Sequence, residues 1–485
     1  MASKSKIAKN YAYNTIYELI AMLAPLVTTP YVSRVLGADG VGIYSYARAY
    51  AAFFILVGGL GTMLYGQREI AYVQSDVQKR TKVFWEIEII RIVLTLLSAI
   101  VFWCVFAGNG ENFVVYRILT LEIVASAFDI SWFFRGIENF RLTVFRSSLM
   151  KLSGIAFVFI FVKKPGDVIT YTLCLTVPYF LGNLCIWASV GKYLCRLHGN
   201  PLREAGRHIR PMLVLFVPQI AVEVYEVLDK AMIGAISSDM NQVGCYTQAQ
   251  KLIRIVLMIV TSLGTVMLSA MSAAFANDDK EKIISTIKKA FRFVYMIAFA
   301  LAFGLCAISE RFVPFFLGPG FDLVGPLTVM TAPILVIIGI SNVIGKQYLL
   351  PTKQQGAYTV SVVIGALVNV AFNFVLINLY GAKGAAIATV VAELTVMGVE
   401  MFYVRRQLPI IECLTPMIKY CVMGIIMFLA VWGIGKVLPS DSIYMIVMIA
   451  MGGIVYGLEL LVTKDEMLWQ GIDMIKGKLF KKSQN

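Results

Sequence analysis

Val41-Gly42-Ile43-Tyr44-Ser45-Tyr46-Ala47 is answered about 200 residues later by Val243-Gly244-Cys245-Tyr246-Thr247-Gln248-Ala249. The echo continues at Leu60-Gly61-Thr62-Met63-Leu64 and Leu263-Gly264-Thr265-Val266-Met267-Leu268, one residue out of step. Both copies open apolar runs of the ~20 residues needed to cross a bilayer. A duplicated half in a membrane protein points to a transporter built from two related lobes that rock against each other.

Composition agrees. Of 485 residues, 59% are hydrophobic and 15% charged, whereas a water-soluble domain carries about 25% charged residues. Mean hydropathy is +0.76. The reading is an integral, multi-pass membrane protein. A net charge of +14 invites nucleic acid as a partner, but the basic residues fall in short clusters between apolar runs, with no basic-aromatic surface or recognition helix. They read as topology signals and contacts to anionic lipid. Eight cysteines are scattered without a C-x-x-C pair, so neither a disulfide frame nor a metal site is expected. Lys4, Lys6 and Lys9 precede a long apolar stretch holding Glu18, Pro25 and Pro30. It is read as a retained first span, not a signal peptide.

Apolar runs between polar breaks give an all-α protein of about fourteen transmembrane helices. They lie near 11–33, 43–66, 83–107, 114–134, 147–162, 168–190, 211–235, 244–275, 290–312, 325–350, 358–379, 382–404, 417–438 and 442–463. Alternate loops collect the cations: Arg68, Lys79, Arg80 and Lys82; Arg135, Arg141 and Arg146; Lys192, Arg196, Arg203, Arg207 and Arg210; Lys280 to Arg292; Lys346 and Lys353; Arg405 and Arg406. The other side holds Arg34, Arg117, Lys163, Lys164, Arg311, Lys383 and Lys436. The asymmetry predicts that both termini are cytoplasmic, and the expected location is a bacterial or archaeal cell (inner) membrane. Residues 1–200 form an expected N-terminal six-helix lobe, 201–404 a second, and 405–485 two appended helices and a tail. The linker at 191–210 is the longest polar connection.

No nucleophile elbow, Walker loop, H-E-x-x-H or dinucleotide fingerprint occurs, so no enzyme chemistry, metal or cofactor is expected. His198 and His208 read as solvated linker residues. Ionisable residues inside spans are informative because each costs about 2.5–3.5 kcal/mol at mid-membrane on insertion scales. Arg48 and Lys251 follow the repeated motif at nearly equivalent positions, and Arg254 lies one turn on. With Arg34 they form the candidate cationic substrate-binding set; neutralisation of a neighbouring acid such as Asp229 is the competing reading. Glu223, Glu226 and Asp229 on the seventh span, with Glu18 on the first, are candidates for ion coupling (H+ or Na+) or charge pairing. Glu86, Glu88 and Arg91 read as snorkelling at an interface. Glu122, Asp129, Lys151, Glu393 and Glu400 are weaker cavity candidates.

Pro30-Tyr31-Val32-Ser33-Arg34-Val35-Leu36-Gly37 followed by Gly40-Val41-Gly42-Ile43-Tyr44-Ser45-Tyr46-Ala47 resembles the opening of polysaccharide-biosynthesis flippases of the Wzx type. Asp229-Lys230-Ala231-Met232-Ile233-Gly234 resembles the start of their second half, and Tyr380-Gly381-Ala382-Lys383-Gly384-Ala385-Ala386 a late span. The resemblance implies the superfamily of multidrug and oligosaccharidyl-lipid exporters: two six-helix lobes in a pseudo-symmetric V around a central cavity. It implies a flippase that moves undecaprenyl-diphosphate-linked oligosaccharide across the cytoplasmic membrane by alternating access, with that lipid-linked sugar and membrane lipid as partners. A lipid II flippase and a cation-coupled drug exporter of the same fold are the alternatives, a membrane polysaccharide polymerase a more distant one.

Overall fold

The computed structural model describes residues 4–108, 110, 112–197, 200–262, 271–272, 274–275, 277, 279–439 and 442–469; the side chains of 4–19, 21–22, 217–219, 221–226 and 442–443 lie outside the description. Every regular element among the described residues is helical. In order these are α1 (Lys4–Gly59), α2 (Thr62–Tyr72), α3 (Val77–Phe106), α4 (Phe113–Ala127), α5 (Ser131–Gly136), α6 (Phe140–Phe161), α7 (Val168–Val190), α8 (Pro201–Ala205), α9 (Ile209–Ser237) and α10 (Met240–Thr261). There follow α11 (Lys280–Leu317), α12 (Val324–Thr331), α13 (Ile334–Ser341), a π-helical segment Asn342–Leu349, α14 (Gln355–Tyr380), α15 (Ala382–Val404), α16 (Ile410–Val437) and α17 (Ser442–Val462).

Eleven helical stretches among the described residues are long and apolar enough to cross a membrane. This is a multi-pass membrane protein. The difference from about fourteen has local causes. Leu23–Tyr72 is one stretch of 50 residues, although Gly37 (φ 68, ψ 179) breaks α1 within it. Only glycine takes that backbone conformation without strain. The expected fourth span, 114–134, is cut in two: α4 has 15 residues and α5 has 6. The middle of α9 lies outside the described side chains. Elsewhere the match is close, and the runs 168–190 and 382–404 coincide with α7 and α15.

By its contacts the chain divides into two compact units, Met1–Thr247 with Leu317–Gly320, and Gln248–Phe316 with Phe321–Asn485. The core of the first is aromatic, with Phe84 stacked on Trp132 at 5.6 Å between centroids and Ile70, Ile87, Phe133, Phe134 and Met212 around them. The second is cored by Phe291, Tyr295, Ile340, Met423, Met427 and Tyr456, so α16 and α17 are integral to it. Outward faces are also apolar. On α3, Val93, Leu96, Leu97 and Ile100 are exposed at the three- and four-residue spacing of one helical stripe. An exposed stripe of this kind is a lipid-facing surface.

Loops grouped on one side by charge meet at one end of the first unit. Arg80 at the start of α3 donates to the Tyr193 carbonyl at 3.1 Å, and Lys82 pairs with Glu204 at 2.7 Å. In the second unit Lys288 pairs with Glu412, Arg292 with Glu466 and Lys419 with Asp465. These contacts gather the start of α11, the start of α16 and the residues after α17.

Candidate functional site

The two copies of the repeated motif touch. A Cβ built on Gly42 would lie 2.7 Å from the Met240 carbonyl carbon, and one built on Gly244 would lie 2.8 Å from the Ala38 carbonyl carbon. Each would also stand 3.1 Å from the other glycine's backbone nitrogen. Each glycine therefore faces the residue four positions before its counterpart, a pseudo-two-fold crossing of α1 and α10 at backbone contact. Small residues are what permit such approach between membrane helices. Tyr46 and Tyr246 brace the crossing: Tyr46 packs flat where a Cβ on Gly234 would stand, and the buried Tyr246 hydroxyl donates to the Asp229 carboxylate.

Six residues past Gly42, about 9 Å along α1 at 1.5 Å per residue, Arg48 extends its Nε to the Glu122 carboxylate of α4 at 2.8 Å. The Arg48 side chain is 34% exposed and that of Glu122 11%. Tyr44 stands beside the pair and meets Tyr171 of α7 edge to face at 4.8 Å. The competing reading of Arg48 as an ion-pair partner is thus realised, with Glu122 as the acid and not Asp229. The pair lets a guanidinium stay at membrane depth while keeping an accessible edge.

Lys251 lies seven residues past Gly244 on α10, half-buried, and Arg254 is exposed on the same helix. No ion pair of Lys251 occurs among the described residues. Arg34 is exposed, and its Cγ lies 2.8 Å from where a Cβ on Gly318 would stand. The side chains of Glu18, Glu223 and Glu226 lie outside the described residues, so of the candidate coupling acids only Asp229 is described: buried, and engaged by Tyr246.

Sequence reasoning names Asp129 as a weaker cavity candidate but misses the polar group built around it, at the break after α4. A helix that ends inside a membrane leaves its last carbonyls without partners. Here four carbonyls around the break, those of Ala125, Ser126, Phe128 and Asp129, meet side-chain donors. Asn183 donates to Ala125 O at 2.9 Å, Trp187 to Phe128 O at 2.9 Å, and the Arg91 guanidinium to Ser126 O and Asp129 O. Asp129 accepts the Ser131 N–H at 3.1 Å and Arg146 at 2.7 Å. Arg91 is therefore a buried helix cap, not a snorkelling cation, and Arg146 belongs to α6 and not to a loop. The missed signal was Phe128-Asp129, an acid next to an expected mid-span position with two arginines on neighbouring spans.

Glu86 and Glu88, also read as snorkelling, are fully buried. Glu88 accepts from the Trp132 indole at 3.3 Å. Glu86 accepts from Arg207 at 2.6 Å and shares a 2.8 Å hydrogen bond with His208 Nε2, whose Nδ1 meets the Tyr65 hydroxyl at 2.6 Å. His208 is thus a buried clamp between linker and helices, not a solvated loop residue; His198 lies outside the described residues. In the second unit, Glu400 is fully buried and accepts from Ser341 at 2.7 Å, beside the π-helical segment.

Among the described residues no group of three metal-ligating side chains occurs. The arrangement is one of cations and acids set at membrane depth between helices.

A family model described as polysaccharide biosynthesis protein matches residues 7–275. A putative O-antigen transporter of Escherichia coli (strain K12) is 23% identical over 413 residues, covering 83% of this chain and 98% of that protein. A probable low-salt glycan biosynthesis flippase, Agl15, of Haloferax volcanii is 20% identical over 363 residues, 74% of this chain and 75% of that protein. Among solved structures, the lipid II flippase MurJ in an inward closed conformation superposes with a TM-score of 0.79 at 16% identity, covering 94% of this chain and 99% of that chain. An inward-facing MATE-family multidrug resistance transporter gives 0.59 at 13% identity, covering 80% and 98%. The structural likenesses establish the fold.

Proposed function

The chain belongs to the polysaccharide biosynthesis protein family, and on that footing we propose that it is a flippase for undecaprenyl-diphosphate-linked oligosaccharide. It would work by alternating access between two six-helix lobes, in the cytoplasmic membrane, for assembly of a cell-surface polysaccharide. Both termini lie in the cytoplasm in this reading, and residues 405–485 bring two further helices, packed into the core of the second unit, and a tail. The observation that carries it is the Arg48–Glu122 pair, a partly accessible guanidinium held at membrane depth beside two tyrosines.

The chemistry is partner exchange. A diphosphate offers several anionic oxygens where Glu122 offers one carboxylate, and a guanidinium grips such oxygens through paired, charge-assisted hydrogen bonds. A headgroup with more charge than Glu122 displaces it from Arg48; a neutral lipid does not. Lys251, Arg254 and Arg34 complete the cationic set. Glu122, left unpaired in a dry site, then takes up a proton or a water, and with Asp229, Glu18, Glu223 and Glu226 forms the acid set available for ion coupling. The sugar remains in water and the polyprenyl chain in lipid.

Complementation of a deletion strain tests the reading. Loss of the gene should leave lipid-linked oligosaccharide accumulated on the cytoplasmic leaflet. Arg48→Ala alone should fail to rescue and should also lower the amount of folded protein, because Glu122 is stranded. Arg48→Ala with Glu122→Gln should restore the amount but not translocation. Full rescue by Arg48→Ala and Arg254→Ala, singly and together, would remove these cations from the mechanism. Unchanged lipid-linked oligosaccharide with altered drug resistance would point to an exporter, and accumulated lipid II to a lipid II flippase.

A further inference from the structure

Outside the membrane-spanning interior, where α3 begins, the first unit contains a cavity of about 220 Å³ lined by Gln78, Lys79, Thr81, Lys82, Cys195 and Arg196, with Leu197 at its rim. Three of these residues are cations and none is an acid. Lys79 and Lys82 are one turn apart on α3, so both ammonium groups leave the same face. The start of this 30-residue helix adds the partial positive charge of its dipole.

Both walls are pinned. The Cys195 N–H donates to Thr81 Oγ1 at 3.0 Å, and Thr81 Oγ1 donates onward to Val77 O at 2.7 Å. Arg80, on the neighbouring face, fixes the opposite strand of chain through Tyr193 O at 3.1 Å. Thr81 and Arg80 thus hold the architecture, and the lining includes Lys79, Lys82, Arg196 and Gln78. Lys79 leans 3.4 Å from Asp76. Lys82 is shared between Glu204 at 2.7 Å and Glu86 at 3.9 Å, acids that stand outside the lining. Val77, the chain neighbour of Gln78, is apolar yet exposed.

We propose that this cavity binds a phosphate group, carried either by an anionic lipid headgroup or by a soluble phosphate. The anion would sit among the three cations of the lining, and it would compete with Glu204 for Lys82. The site stands apart from Arg48, so it does not depend on which lipid the chain moves.

Cys195 gives a local readout because it is exposed and lines the cavity. The full-length protein carrying Cys195 as its only cysteine would be labelled with a maleimide in nanodiscs. Three conditions are compared: phosphatidylcholine alone, phosphatidylcholine with inorganic phosphate, and phosphatidylcholine with phosphatidylglycerol. Occupancy should slow labelling about three-fold or more. Protection by phosphate alone identifies a soluble ligand, and protection by phosphatidylglycerol a lipid headgroup. Glu204→Gln frees Lys82 and should lower the half-protecting concentration about five-fold, as expected for one partly exposed charge contact; misfolding cannot produce that gain. Lys79→Gln and Arg196→Gln should raise it by a similar factor. Equal labelling in all three conditions, or a half-protecting concentration that none of the three substitutions moves, overturns the proposal.

Discussion

Adding one methyl group at the crossing of the repeated motifs should separate two helices. In Gly42→Ala the new Cβ would lie 2.7 Å from the Met240 carbonyl carbon, where non-bonded carbons rest about 3.5–4.0 Å apart. The clash is with backbone, so no rotamer change relieves it, and α1 and α10 must part locally by about 1 Å. Overpacking of this size costs about 1–3 kcal/mol. If the chain exchanges between this packing and one in which the crossing is open, the substitution moves that equilibrium about five- to hundred-fold toward the open form. Gly244→Ala meets the Ala38 carbonyl carbon at 2.8 Å and should do the same. One displacement relieves both clashes, so the double variant should cost clearly less than the sum of the singles. Cys245, next to Gly244 and fully buried, reports the change: as the only cysteine retained, its maleimide labelling should accelerate in both variants. Translocation should fall while the protein remains folded and in the membrane. Unchanged Cys245 labelling in both variants, or strictly additive costs, would refute the close crossing.

Two further predictions concern the polar ends of the units. Burial pushes the Asp465 carboxyl up, but hydrogen bonds from Lys419 and Tyr420 outweigh it and hold the group below the usual carboxylate range. A depressed folded pKa stabilises above the unfolded value of about 3.9 and is lost as pH falls through the folded one. Asp465→Asn should therefore lower thermal stability at pH 7, and the deficit should be constant between pH 6 and 8, where the contribution of this group is complete and independent of pH; an equal deficit at pH 3 would contradict the assignment. Glu86→Gln removes the charge that Arg207 and His208 share, worth about 1.5–3 kcal/mol for hydrogen bonds to a charged group. Trypsin cleavage after Arg203 and Arg207 should then accelerate about ten- to hundred-fold, and cleavage at the wild-type rate would mean that the linker is held elsewhere.

What the sequence made legible follows from the range of each signal. Span placement needs only hydropathy over ~20 residues, and α7 and α15 coincide with their apolar runs. Interruptions within a span are harder to read. Gly37 looks like any loop glycine until its positive φ is seen, and the one local hint in 114–134, the acid Asp129, does not by itself say that α4 ends at Ala127. That break is stable because Asn183, Trp187, Arg91 and Arg146 converge on it from three other helices, and convergence is a property of the fold. For the same reason Arg91, Glu86 and His208 were assigned to water from their neighbours in the chain, when their partners lie 35 to 143 residues away.

The repeated motif bridges the two kinds of information. Its duplication is legible in the sequence, which also sets a pair of cations, Arg48 and Lys251, in nearly equivalent places. The glycines turn out to be the symmetric part: Gly42 and Gly244 each face the residue four before the other. The cations that follow them diverge, since Arg48 is matched to Glu122 while Lys251 has no ion pair among the described residues. Symmetry is thus kept where two backbones must approach and relaxed where charge is held. Close packing constrains both positions to glycine, whereas the cargo proposed above, charged at one end and sugar-bearing at the other, would give no reason for the cations that follow to match.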